Sequence, residues 1–219
     1  DTGTLVVING IVGNNTRRKL DPAEFRGFVL VDEYAPLVFV NGADGKAAQM
    51  FTLAHELAHV WFGRSAAFDL QELQPADDAI ERVCNWVAAE FLVPEGELRP
   101  IWSSDLPQSE PLQAIARRFK VSELVAARRA LDLRLIAKDE FLRFYDDYRE
   151  RERAAAAKGQ GGGDFYASQN LRIGRRYGKA VVSAAREGGL LYREAYQLTG
   201  LHGRAFERYA ASLGFGAEP

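Results

Sequence analysis

The sequence predicts an α+β protein with a small antiparallel sheet, a helix carrying a His-Glu-x-x-His motif, and a mostly α-helical C-terminal region. Three observations predict this class. Two β-branched segments, 27–32 and 37–41, flank the turn-forming stretch 33–36 and indicate a hairpin. Residues 46–62 have the spacing of a helix and contain the motif. After Pro94 the pattern is almost entirely helical.

Composition limits the classes of protein to which the chain can belong. Its 219 residues are 47% hydrophobic and 26% charged, which is typical of a soluble globular chain long enough for a core. A formal net charge of -2 argues against a dominant nucleic-acid or membrane surface. The single cysteine, Cys84, excludes an internal disulfide and suits the cytoplasm. Because the chain begins at Asp1 rather than Met, we expect that an upstream segment precedes it.

The N-terminal elements follow in order from local signals. Residues 5–9 form a predicted β-branched strand that ends at Gly10. The polar stretch 14–19 is predicted to be a loop or an exposed turn, and 21–25 a turn or a short helical start. The hairpin comes next, and the motif helix ends at Gly63, a residue typical of helix C-termini. We expect the strand 37–40 to be a sheet edge that pairs with an extended substrate.

The motif places two imidazoles on one face of a helix. His55 and His59 are four residues apart, so both can bind one metal ion, and Glu56 can reach a water molecule on that ion. The alternative is a partly buried helix whose two histidines bind no metal. The chain has only 3 histidines in total, and two of them are in the motif, which favours the metal site. The helix has an apolar stripe formed by Met50, Leu53, Ala54, Leu57 and Trp61.

A catalytic zinc ion normally has three protein ligands, so a further ligand is needed. His202 is remote in sequence, and we interpret it as structural. The next helix, capped by Asp77 or Asp78, runs to about Leu92 and has the predicted core stripe Ile80, Val83, Cys84, Val87 and Phe91. Glu81 borders this stripe and is the best candidate. Its competitors are Glu72, Asp77, Asp78 and Glu90.

A family resemblance favours Glu81 among these candidates. His55-Glu56-Leu57-Ala58-His59, followed by Glu81, Asn85, Ala88, Ala89, Leu92 and Pro94 at matching spacing, resembles the ImmA/IrrE family of metallopeptidases. The resemblance is strong over residues 27–94 and looser to about 150. It implies a zincin-like fold and a Zn²⁺ ion held by His55, His59 and Glu81, the last being the family's third ligand. It also implies a cytoplasmic endopeptidase that cleaves transcriptional repressors.

Two neighbours of the candidate ligands have their own interpretations. Asn85 is four residues after Glu81 and is expected to orient the motif helix or a ligand through a hydrogen bond, the alternative being an exposed polar residue. Cys84 lies in the apolar stripe and is interpreted as a buried structural thiol. Tyr34 and several arginines are candidates for the side chain that stabilises the oxyanion.

The C-terminal half divides into two predicted helical units. Residues 110–120 and 122–131 form a helix-turn-helix-like pair, and 138–157 a long charged helix. Residues 158–164 are a predicted linker, so we expect a peptidase core at 1–100, a helical extension at 101–157 and a small helical domain at 164–219. Basic side chains in the extension raise the alternatives of DNA contact or a solvated packing module, and they are Arg117, Arg118, Lys120, Arg128 and Arg129.

The pattern as a whole predicts a zinc-dependent endopeptidase acting on a protein substrate, a repressor, in a stress or mobile-element response. Glu56 is then the general base. The rival hypothesis is a regulatory or toxin-antitoxin module whose zinc site is a sensor, with DNA or a protein partner bound by the helical regions or by an upstream domain. An aminopeptidase or another zinc hydrolase is a third option. We expect no membrane contact, because no long apolar run exists.

Overall fold

The computed structural model describes residues 3–13, 15–63, 66–68, 79–102, 109–156 and 169–216. The strands are β1 (Leu5–Asn9), β2 (Ile11–Val12), β3 (Asn15–Lys19), β4 (Gly27–Leu30), β5 (Leu37–Asn41) and β6 (Ala66–Phe68). The helices of the first part are α1 (Lys46–Phe62), α2 (Ala79–Leu92), α3 (Glu95–Leu98), a 3₁₀ turn (Arg99–Ile101), α4 (Ser109–Phe119), α5 (Glu123–Asp132) and α6 (Lys138–Ala156). The last part contains a π-helical turn (Asn170–Gly174), α7 (Arg175–Arg186), α8 (Tyr192–Thr199) and α9 (Arg204–Ser212).

The α+β class is confirmed, with a sheet in the order β1-β5-β4-β6. The β4–β5 hairpin is antiparallel, as predicted. The sequence did not predict β6, which pairs antiparallel with β4, or that β1 runs parallel to β5. The expectation that 37–40 is an edge was wrong, because β5 pairs on both sides and Val38 and Val40 are fully buried. A strand with both backbone edges occupied cannot accept a substrate strand. The described edges are β1 and β6.

The stretch 14–19 was also misread as a loop, since Asn15–Lys19 is β3, paired with β2. All five of its side chains are exposed. A strand without a buried face has no apolar alternation, so its sequence carries no strand signal.

Helix α1 has the predicted bounds and covers one face of the sheet. Val29, Val38 and Val40 form the centre of this contact, and the partly buried side chains against them are Ile8, Val31, Leu53, Leu57 and Val60. The predicted stripe was wrong at its ends, because Met50 and Trp61 are exposed. They lie beyond the area of α1 that faces the sheet and α2.

Helix α2 buries a different face from the one predicted. Cys84 is fully buried, as expected, but Val83 and Phe91 are exposed, and the remaining buried residues are Asn85, Ala88 and Ala89. Alanines at the contact let α2 approach α1 closely, which brings polar side chains of α2 to the histidines. The predicted caps Asp77 and Asp78 lie outside the described residues.

One apolar core extends from α1 to α6, so it includes residues on both sides of position 100. A second core lies within the C-terminal helices and includes Val182, Phe206 and Tyr209. The division into 1–100, 101–157 and 164–219 remains a prediction, and its linker 158–164 lies outside the described residues. In the part of the chain that the structure describes, no helix is long and apolar enough to cross a membrane.

The basic residues of the helical extension do not share one exposed surface. Arg129 is fully buried, where it donates to the Val93 carbonyl at 2.9 Å and pairs with Glu90. Arg128 pairs with Asp132 at 3.0 Å. Arg129 is therefore a packing residue and is not available to DNA, which leaves fewer cations for such a contact.

Candidate metal centre

The start of α1 is fixed by the loop after β5 rather than by a side-chain cap. Gly45 is the N-cap residue and makes no side-chain hydrogen bond, but the buried Gln49 donates to the carbonyls of Gly42 and Asp44. At the other end Gly63 adopts a left-handed φ of 66° and its N–H bonds the carbonyls of His59 and Val60. Contacts at both ends therefore define where α1 begins and ends, and so which of its faces carries the histidines.

Gly27 allows α1 to approach β4. A Cβ atom at this position would lie 2.5 Å from Thr52 Cγ2, 2.7 Å from the Phe39 carbonyl oxygen and 3.3 Å from Glu56 Oε1. Only glycine avoids these contacts, so the first residue of β4 determines how close the strand comes to Glu56. Sequence reasoning missed Gly27. Its only signal is a glycine at the start of an otherwise β-branched strand.

Three potential ligand residues meet beside α1. His55 Nε2 lies 3.0 Å from His59 Nε2 and 3.1 Å from Glu81 Oε2, and His59 Nε2 lies 3.1 Å from Glu81 Oε1. Zinc–ligand bonds of about 2.0–2.1 Å in a tetrahedron place ligand atoms about 3.3 Å apart. The separations are therefore close to those that a tetrahedral zinc ion requires, and Glu81 from α2 completes the pair on α1.

The electrostatics of the three candidate ligands also favour a bound cation. Asn85 Oδ1 lies 3.1 Å from His55 Nδ1, so an Nδ1–H donates to it and leaves a lone pair on Nε2. Two imidazole nitrogens and a carboxylate oxygen are all acceptors when the rings are neutral. Acceptors this close repel one another unless a cation or a proton lies between them. Asn85 is buried and makes the orienting bond expected from its position.

The carboxyl group of Glu81 is held in its ionised form. In the metal-free site, where a proton lies between the rings and the carboxylate, the pKa of Glu81 is lowered chiefly by a hydrogen bond from His55 and further by the charges of His59 and His55, while burial opposes the shift. An ionised carboxylate at neutral pH is what ligation of a divalent cation requires.

Glu56 is fully buried between α1 and the sheet, next in sequence to His55 and beside the start of β4. A carboxylate so placed is shielded from bulk water. Such shielding strengthens its interactions with charges nearby.

The structure distinguishes Glu81 from Glu90 and from His202. The group His55, His59 and Glu81 is the one within the described residues that could hold a metal ion. Glu90 pairs with Arg129 instead. The other competitors, Glu72, Asp77 and Asp78, lie outside the described residues. His202 is exposed and packs against Tyr196, with ring centroids 5.6 Å apart, which agrees with a structural role.

Comparison with known proteins gives the family. The model of the IrrE N-terminal-like domain, Peptidase_M78, matches residues 3–131, more than half of the chain. The chain belongs to this metallopeptidase family. The match contains β1 to α5, with all four motif and ligand candidates. A bound metal ion follows from the family.

Two further comparisons match parts of the chain. The radiation response metalloprotease IrrE of Deinococcus radiodurans is 32% identical over 91 residues, which are 39% of this chain and 28% of that protein. The alignment thus covers little more than a quarter of the relative's length. Residues 173–212 match a domain of unknown function, DUF8813. That match falls on α7 to α9, within the predicted third unit.

Proposed function

We propose that the chain is a zinc endopeptidase in which His55, His59 and Glu81 hold the metal ion and Glu56 is the general base. The observation that carries this proposal is the convergence of two Nε2 atoms and one carboxylate within about 3 Å, beside a buried Glu56. When bound, zinc supplies a water molecule of lowered pKa and polarises the scissile carbonyl.

The side chains of the protein account for the proton transfers. Glu56 takes the proton of the attacking water and then delivers it to the leaving amine. Asn85 holds the His55 ring with Nε2 directed toward His59 and Glu81, where the metal ion would bind.

An extended substrate needs a strand edge near α1, and β6 now replaces 37–40 in this role. It is the terminal strand on the β4 side of the sheet and also contacts α1. Backbone pairing with β6 would present successive peptide bonds of an extended segment to the metal.

For the substrate we propose a transcriptional repressor cleaved in a stress or mobile-element response in the cytoplasm. The family resemblance supports a repressor, and a relative named a radiation response metalloprotease supports the stress response. The predicted regulatory and toxin-antitoxin alternatives gain no specific support from the site, and the burial of Arg129 weakens the DNA-binding version.

The test is cleavage of the repressor encoded beside this gene by the purified chain. The reaction is run with zinc, with manganese and after chelation, and the products are read by mass spectrometry. Glu56→Gln should retain zinc and lose cleavage by a factor of about 10² or more, because general-base catalysis contributes about that much. Glu97→Gln, on the exposed surface of α3, is the matched control and should cleave normally.

Each outcome has a distinct meaning. Metal-dependent and Glu56-dependent cleavage at one internal bond supports the full proposal. Full activity of Glu56→Gln refutes the role of Glu56. Release of single N-terminal residues would indicate an aminopeptidase. Stoichiometric zinc without cleavage of the repressor would favour the sensor hypothesis or another substrate.

A further inference from the structure

A cavity of about 410 Å³ lies between the edge strand β1 and the C-terminal helical region. Its size falls in the range of about 300–1,000 Å³ that accommodates small-molecule ligands. The walls come from β1, β5, the π-helical turn, α7 and α8. Neither the metal centre nor the proposed peptidase chemistry uses this cavity.

The cavity lies on the face of the sheet opposite α1. Ile8 and Val40 are opposite each other in the β1–β5 register and pack toward α1. Side chains alternate along a strand, so Leu5, Val7 and Asn9 point to the other face. These three residues line the cavity, together with Leu37, which is opposite Leu5 in the register.

The C-terminal region reaches β1 through the π-helical turn. Gly174 has a φ of 81°, and a Cβ atom there would lie 2.6 Å from the Val6 carbonyl oxygen. The turn therefore packs directly on the backbone of β1. This contact places Gln169, Arg172 and Ile173 around the cavity.

Two side-chain amides in the cavity lining offer hydrogen-bond donors. Gln169 is only 1% exposed, and its Nε2 has no hydrogen-bond partner within the described residues. Asn9 Oδ1 already accepts from the Ile11 N–H at 3.2 Å, which leaves its Nδ2 as the available group. The Thr199 hydroxyl is already hydrogen-bonded within the protein: it donates to the Ala195 carbonyl and accepts from the Leu201 N–H.

The cavity has one cation of its own. Arg172 is half-buried in the lining, and its guanidinium forms no ion pair within the described residues. A guanidinium binds planar oxyanions through two parallel hydrogen bonds. The remainder of the lining is largely apolar and includes Leu5, Val7, Leu37, Ile173 and Leu198.

From this arrangement we propose that the cavity binds a small monoanionic carboxylate with an apolar body. The carboxylate accepts from Arg172 and Gln169, and the body packs on the leucine and valine side chains. A single cation matches one negative charge, whereas a phosphate dianion would be incompletely neutralised. The ligand joins the helical region to β1, so it holds the C-terminal region against the sheet.

The test uses octanoate as the probe, with the full chain, isothermal titration and thermal unfolding. We expect saturable 1:1 binding and a rise in Tm with octanoate concentration, because a ligand specific for the folded state stabilises it. Arg172→Met should weaken binding by about tenfold to a hundredfold, the range expected for loss of a charged hydrogen-bond partner. Arg175→Met, at the exposed start of α7, is the matched control and should bind normally.

A second variant keeps the test valid if Arg172→Met folds poorly. Leu198 lines the cavity but is 50% exposed, so Leu198→Trp should fold and should block octanoate by occupying the space. The Glu56→Gln variant should bind octanoate like the parent protein. This separates failure of the cavity proposal from failure of the peptidase proposal.

Three results would overturn the proposal. They are the absence of saturable octanoate binding, equal binding of octanamide and octanoate, and tighter binding of octyl phosphate than of octanoate. Octanoate binding that survives both Arg172→Met and Leu198→Trp would equally show that the probe binds elsewhere.

Discussion

Replacing Asn85 with alanine should weaken metal binding without removing a metal ligand. Asn85 Oδ1 lies 3.1 Å from His55 Nδ1 in a buried setting. Removing the acceptor loses a hydrogen bond and leaves a buried N–H without a partner, which costs about 1–3 kcal/mol. The free ring can also turn or change tautomer, so that Nε2 no longer presents its lone pair. We expect a loss of about 10-fold to 100-fold in zinc affinity, the usual effect of losing such a group.

The assay is competition for zinc against a chelator of known affinity at pH 7. It is paired with thermal unfolding of the metal-free protein, so that loss of stability is measured separately. Asn85→Asp should retain or tighten zinc binding, because a carboxylate accepts the same N–H and raises the basicity of the ring. Val83→Ala, on the exposed side of the same helix, is the matched control and should leave zinc affinity unchanged.

The reasoning would be refuted by folded Asn85→Ala protein with the zinc affinity of the parent. It would equally fail if Asn85→Asp bound zinc as weakly as Asn85→Ala, because the orienting bond would then have no effect. A fall in thermal stability alone, with unchanged affinity, would make Asn85 only a packing residue.

Three further predictions follow from packing and charge. Gly27→Ala should lower stability by about 1–3 kcal/mol through overpacking, because the new methyl group meets Thr52 and approaches Glu56. It should also reduce turnover more than zinc content. Thermal unfolding, peptide cleavage and metal analysis measure these three effects. Burial raises the pKa of Tyr209 to about 12. Its neutral hydroxyl therefore contributes about 3 kcal/mol to the free energy of unfolding below pH 10, and this contribution is lost as the pH rises toward 12. Tyr209→Phe should flatten this alkaline loss in a stability–pH profile, and an unchanged profile would contradict the prediction. Glu90→Gln should lower the free energy of unfolding, measured by chemical denaturation, by about 2 kcal/mol, because Arg129 stays buried without its counter-charge. This figure is reduced from that of a fully buried pair because the Glu90 side chain is 38% exposed. An unchanged denaturation midpoint would show that water already solvates the guanidinium.

Local features of the site could be predicted from the sequence because they depend on one element at a time. Helix α1 was predicted at Lys46–Phe62 because its apolar spacing and Gly63 are local signals. Within a helix, a separation of four residues places His55 and His59 together whatever surrounds them. Glu81 was one of five carboxylates in the pattern, and the family resemblance, rather than spacing, favoured it.

Errors arose where exposure depends on distant parts of the chain. The segment 37–41 was correctly predicted as a strand, but its place inside the sheet depends on β1 pairing with it, which strand propensity does not encode. On α2 the large residues Val83 and Phe91 predicted the buried face, yet the small residues face α1 because close helix packing favours them. β3 escaped prediction because none of its side chains is buried.

The sequence by itself determined the class of fold, the bounds of the motif helix and the pair of imidazoles, since these follow from hydrophobic periodicity and helix geometry. Only the tertiary structure decided that Glu81 meets both rings, that Asn85 bonds His55, and that Arg129 is buried rather than exposed. It also created the cavity beside β1, whose walls come from residues more than 150 positions apart in the chain. The physical reason is that periodicity specifies which residues share a face of one element, whereas long-range packing specifies what covers that face.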